Sequence, residues 1–185
     1  MKKVERSEIL DFVTYVERRD ELRPGFLEAK RMRRIQHKTV LTLLFENQDT
    51  VRYQVQEMMR IEQIIREADI QHELDTYNEI LGKTGELGCT LLIGLEDEQE
   101  RDSKLAAWEG LLPHLFLVLE DGSRVGATWD PRQVGRGRLS SVQYLKFDTG
   151  GAVPTALAVD FPDPDLEGAT PLTDEQREAL AVDLN

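Results

Sequence analysis

The chain has 185 residues, with 23 Lys and Arg against 35 Asp and Glu, a formal charge of −12, and 40% hydrophobic positions. That length is enough for one domain with its own core, and the acidic balance argues against nucleic acid as a partner, because phosphate contacts need a positive field. The lone cysteine, Cys89, excludes an intramolecular disulfide, a zinc site on paired cysteines and an iron–sulfur cluster held by this chain alone. No run of about twenty apolar residues occurs and no signal peptide is recognisable at the start, so the expected location is the cytoplasm, with no membrane partner.

The charge is unevenly spread. Residues 1–38 carry eleven Lys or Arg against seven Asp or Glu, whereas residues 154–185 carry eight acids and one base, Arg177. Within the basic head, Arg31, Arg33 and Arg34 are candidates for binding an anion, and the alternative is a solvated helix face with salt bridges, some to the acidic tail.

In chain order, Ser7 is read as the cap of a first helix through Ile9, Phe12, Val13 and Val16. A second helix over 18–35 is expected to break or begin at Pro24-Gly25. Residues 39–46 read as a buried strand, and the polar cluster Asn47-Gln48-Asp49 caps the helix that follows. On a helical wheel from Val51, the residues Val55, Met58, Glu62 and Ile65 lie within about 40° of one direction. The phase slips near Ala68-Asp69, which predicts two helices joined at Asp69 or one helix with a local defect. Gly82–Gly85 turns the chain, 87–93 is a strand, 96–110 a helix, and 114–119 with 124–129 a hairpin on the signal Asp121-Gly122. A basic loop, Arg132–Arg138, either clamps a phosphate or is a surface connection. Residues 141–147 form a last strand. The expected class is α+β, with a mixed or antiparallel sheet of about four to five strands packed by a central helical pair and an N-terminal helical segment. The domain is expected to span 1–148, followed by an acidic linker with Pro and Gly and a short helix announced by the capping box Thr173–Gln176.

No phosphate loop, dinucleotide fingerprint or nucleophile elbow is present, and three histidines and one cysteine leave carboxylates as the main chemistry. Glu62, in the middle of an apolar stripe, needs a partner. That partner is either an arginine of the basic head or a metal shared with Glu57 and Glu73; the latter set would take a hard divalent cation or iron, although nothing in the sequence requires a cofactor. Glu46, Asn47, Tyr53, Gln56 and Arg60 gather near one helix N-terminus, a position that suits an anion or simple capping. Tyr77, Asn78 and Glu86 complete the candidate polar set. Cys89, in a predicted strand, reads as a small buried residue.

Three stretches carry a resemblance: Phe45-Glu46-Asn47 with Thr50; Gln54 with Gln56-Glu57-Met58; and Glu73-Leu74-Asp75-Thr76-Tyr77-Asn78 followed by Glu86-Leu87-Gly88-Cys89. Over residues 5–148 the chain resembles a bacterial family catalogued as domain of unknown function 3501. The resemblance names no activity. It implies proteins encoded near rubrerythrin-like and iron–sulfur oxidoreductase proteins, which would be the partners in a redox or peroxide-defence system. The leading expectation is therefore a cytoplasmic, non-catalytic accessory or binding protein of such a system, and a homo-oligomer through Met58 and Met59. The alternatives are a metal-dependent enzyme using the Glu-rich site and an anion or nucleic-acid module using the basic head.

Overall fold

The computed structural model of the chain describes residues 2–133, 135 and 137–185. The helices are α1 (Phe12–Arg31), α2 (Gln48–Glu62), α3 (Glu67–Asn78), α4 (Glu98–Ala107) and α5 (Asp174–Asp183). The strands are β1 (Arg34–His37), β2 (Leu41–Glu46), β3 (Glu86–Ile93), β4 (Leu115–Val118), β5 (Arg124–Gly126), β6 (Val142–Asp148), β7 (Ala156–Val159) and β8 (Gly168–Pro171). The class is α+β as the pattern implied, and all pairings are antiparallel. The strands form two sheets of four, in the orders β1-β2-β3-β6 and β5-β4-β7-β8.

The two sheets meet along both flanks. On one, β1 lies beside β8, where His37 shares hydrogen bonds with the Thr170 hydroxyl (2.8 Å) and the Leu166 carbonyl (2.6 Å). On the other, Thr128 beyond β5 bridges to Lys146 of β6. Inside is one core to which both sheets contribute, including Leu43, Phe45, Leu91 and Phe147 from the first and Leu117, Leu157 and Val159 from the second. Burial of this apolar surface is the dominant stabilising contribution. α5 closes the end where β3 starts, with the Gly85 amide donating to the Leu184 carbonyl (3.0 Å). α4 closes the opposite end, where the Leu139 amide donates to the Leu105 carbonyl (3.0 Å) and Trp108 is fully buried.

A second, smaller core joins α2 and α3 to the N-terminal segment through Val4, Ile9, Val51, Val55, Met59, Ile70 and Leu74. α1 covers a further side of α2, with Phe26 stacked on Tyr53 at 5.2 Å.

Several expectations shift. The cap of α1 is Asp11, which accepts from the Thr14 amide (3.0 Å), and Ser7 sits in a 3-10 turn. α1 runs through Pro24, where the lost hydrogen bond faces water and is tolerated because Pro24 and Gly25 are exposed. The expected helix over 18–35 gives way after Arg31, and Arg34–His37 is a strand alternating exposed and buried. The break between the central helices falls at Gln63, in the left-handed conformation (φ 54°), five residues before the expected slip. Residues 149–185 are not a detached linker: they supply β7, β8 and α5, and the Thr173 capping box opens α5 as read.

Glycine sets one approach that matters for the site. A Cβ on Gly88 would lie 1.8 Å from the Ile80 carbonyl oxygen, so the segment leaving α3 crosses directly over β3. Only a residue without a side chain allows that contact, and it fixes the end of α3 against the first sheet.

Candidate functional site

The expected carboxylate centre does not assemble. Glu62 is exposed at the last residue of α2. The wheel assigned it to a buried stripe because it continued the helix past Gln63 and took no account of α1 lying over another face. The buried acid of α2 is Glu57, five residues earlier and on another face. Its carboxylate accepts from the Tyr15 hydroxyl (2.7 Å), from Arg19 at 2.7 and 3.1 Å, and from Arg60 at 3.4 and 3.1 Å. The structural ion pair with the basic head exists, then, but at Glu57. Burial alone would push this carboxyl up, and the two guanidinium groups and the Tyr15 hydroxyl outweigh it, holding the pKa at about 2. Its lone pairs are occupied by these donors, Glu62 faces solvent, and Glu73 lies on α3. Among the described residues no group of three or more His, Cys, Asp or Glu is placed to hold a metal.

Most of the other polar candidates are also tied into the fold. Glu46 is buried and accepts from the Thr50 and Thr90 hydroxyls. Asn47 caps α2 through the Thr50 amide (3.0 Å). The Gln56 amide clamps both backbone groups of Leu10 (2.8 and 3.2 Å), and Asn78 does the same to Val4 (2.8 and 2.9 Å). Tyr53 is buried under Phe26, with the Lys30 ammonium 4.9 Å from its ring centre. Burial lowers the pKa of Lys30 against the pull of Glu46 and Glu57. Glu86 accepts from the Lys83 amide (3.1 Å).

The anion-binding arginines are largely neutralised. Arg33 is buried and forks onto Asp183 of α5 at 2.6 and 2.9 Å, and Arg31 bonds Glu28 and Glu175 at 2.8 Å each. Basic head and acidic tail thus meet across the β1–α5 corner, and Arg34 alone of the three remains an exposed cation without an ion pair among the described residues. Within the basic loop, Val134 and Arg136 lie outside the described residues, while Arg132 is held by Asp130 and Arg138 by Asp102 (2.8 Å). Cys89 is fully buried, and desolvation pushes its thiol well up. Met59 is buried and Met58 half-buried, while Ile61 and Ile65, at and just past the end of α2, are exposed.

Two of the candidates do face a cavity. Glu73 and Tyr77 line a cleft of about 730 Å³ between α3 and the segment after β5, floored by β6. Other lining residues were not singled out in the sequence: Trp129, Tyr144 and Lys146 opposite them, and Glu79 at the end of α3 on their own side. In β6, Gln143, Leu145 and Phe147 point into the core while Val142, Tyr144 and Lys146 alternate outward. The far wall is fastened to this edge strand twice. Thr128 and Lys146 exchange both backbone bonds at 2.8 Å. The Gln133 carboxamide then accepts from the Tyr144 amide (2.8 Å) and donates to its carbonyl (2.7 Å), as a neighbouring peptide would. The near wall is fixed by the crossing over Gly88.

Burial raises the pKa of Tyr77 against the opposing effect of the Gln54 side chain, with Tyr144 and Glu73 adding to it, and burial followed by the charge of Glu46 raises that of Tyr144. Both phenols therefore stay protonated through neutral pH and can donate. A cleft of this size, with aromatic walls and a few charged groups, has the form of a small-ligand site. A second hollow of about 680 Å³, between α5 and the β4–β5 turn, is bounded by Glu120, Asp121, Asp174, Glu178 and Arg177 and has no aromatic lining.

The family model described as protein of unknown function (DUF3501) matches residues 3–184, past the expected limit at Asp148. No curated protein matches the chain significantly. A solved structure, a novel protein of unknown function from Burkholderia pseudomallei K96243, is similar at 29% identity and a TM-score of 0.89, covering 100% of both chains. No helix among the described residues is long and apolar enough to cross a membrane.

Proposed function

The chain belongs to the DUF3501 family of unknown function, and from that premise we propose that it is a cytoplasmic, non-catalytic binding protein that recognises a small ligand in the cleft between α3 and β6. The observation that carries this reading is the convergence of Tyr77, Trp129 and Tyr144, from three separate elements, on one cavity. The chain fixes both walls of that cavity with dedicated contacts, the Gln133 carboxamide on one side and the Ile80–Gly88 crossing on the other. The non-catalytic part is supported by the state of the reactive groups: Glu57 is saturated by donors, Cys89 is sealed in the core, and Arg33 is neutralised by Asp183. A role as accessory to a redox or peroxide-defence system rests on the family resemblance, through its rubrerythrin-like and iron–sulfur oxidoreductase neighbours.

Native mass spectrometry of protein purified from its own source without denaturation tests the binding role. Wild type is expected to carry a small molecule, and Trp129→Ala to lose it while staying folded by circular dichroism, with a melting temperature lowered by several degrees because the half-buried Trp129 packs against the main core. Metal-dependent turnover of any substrate, undiminished in Trp129→Ala, would overturn the reading.

A further inference from the structure

We propose that the ligand of this cleft is a small organic cation, an alkylated ammonium compound. The inference rests on the reading of the cleft as a binding site and names the chemistry that it selects. Two independent features point the same way. The first is aromatic: the faces of Tyr and Trp rings attract an ammonium through their quadrupole, most strongly for Trp, and the attraction grows when the cation leaves water. Tyr77, Trp129 and Tyr144 offer such rings around the cleft.

The second is the balance of charge. The ionic side chains lining the cleft are Glu73, Glu79, Asp130, Arg132 and Lys146. Asp130 and Arg132 cancel each other, the Arg132 Nε and Nη2 both donating to Asp130 Oδ2 at 2.9 and 2.5 Å. Lys146 leans on Glu86, which lies 3.9 Å from its ammonium. Glu73 and Glu79 engage in no ion pair among the described residues, so the charge left over is negative. An anionic ligand would face these two carboxylates with only the Lys146 ammonium, already shared with Glu86, and the paired Arg132 to set against them. A neutral one would strip water from the half-buried Glu73 and return nothing. A cation satisfies both the carboxylates and the rings. The cavity of about 730 Å³ is larger than a tetraalkylammonium head and leaves room for a body attached to it.

The protein carries its own reporter. Its two tryptophans are Trp108 and Trp129, and Trp108 is fully buried in the main core, so a ligand in the cleft changes the emission of Trp129 alone. Titrations use choline and tetramethylammonium as cationic probes and 3,3-dimethylbutan-1-ol as the neutral isostere of choline. The expected result is a saturable change with both cations, absent in Trp129→Phe and shifted to about tenfold higher concentration in Glu73→Gln. Glu73 is a half-exposed helix residue, so that variant keeps its fold. An equal response to the neutral alcohol overturns the cationic class while leaving a binding cleft. No response to either cation, in protein whose native mass shows a cleft-dependent occupant, likewise overturns the class and leaves the binding role standing.

Discussion

Asp183→Ala will destabilise the protein by about 3–5 kcal/mol, the cost of leaving one member of a buried ion pair unpartnered. Arg33 and Asp183 are 6% and 5% exposed, and the two bonds of the fork, at 2.6 and 2.9 Å, join residues 150 positions apart. The third donor of the guanidinium goes to the Ala29 carbonyl at the end of α1 (3.1 Å), so one side chain ties α1, the start of β1 and α5 together. Removing the carboxylate strands a charge that water does not reach. Chemical denaturation measures the loss. The double variant Arg33→Leu with Asp183→Leu, which buries no charge, is expected to recover more than half of it. If Asp183→Ala unfolds within 1 kcal/mol of wild type, about the level of a surface pair, the α5 corner is not a structural tie.

Glu57→Gln carries the second large effect, and it is a pH effect. The carboxyl pKa is depressed from 4.5 to about 2 by Arg19, Arg60 and the Tyr15 hydroxyl, against the opposing push of burial. A depressed folded-state pKa means that the unfolded chain takes up protons first as pH falls. The stabilisation is then complete above about pH 4.5 and is lost as pH drops toward about 2. A shift of this size corresponds to about 3 kcal/mol at neutral pH. Unfolding free energies measured across this range should fall steeply for wild type and more gently for Glu57→Gln, which starts lower at neutral pH. Parallel curves for the two proteins would show that the network contributes nothing specific.

How far the sequence disclosed all this follows the range of the interactions. Local chemistry was legible: Asn47 at the start of α2, Asp121-Gly122 in the β4–β5 turn with Gly122 at φ 82°, and the Thr173 box ahead of α5. Each of these depends on residues a few positions apart. Glu62 and Glu57 show where periodicity stops being informative. A wheel gives the direction of a side chain and not which faces neighbours cover, and α1 covers the face that holds Glu57. β7 and β8 were hidden because four-residue strands among prolines and aspartates resemble linker, and what makes them strands is pairing with β4 and with each other. The cleft was half visible through Glu73 and Tyr77. Its floor had a signal of its own in the alternation Val142, Tyr144, Lys146, a polar and aromatic outer face on a strand with an apolar inner one. Its far wall had none, since Trp129 and Gln133 are brought to β6 by the Thr128–Lys146 bridge and the Gln133–Tyr144 bonds, pairings between residues 11 to 18 positions apart.

The most direct test of the central claim, that this cleft is where the protein works, is amide hydrogen exchange on wild-type protein as purified without denaturation and again after unfolding, dialysis and refolding. The account predicts slower exchange in the as-purified form over residues 73–80, 128–133 and 142–146, with the α1–α2 network and the α5 corner unchanged. Protection centred instead on the basic stretch 30–38, or on the hollow beside α5, would contradict it.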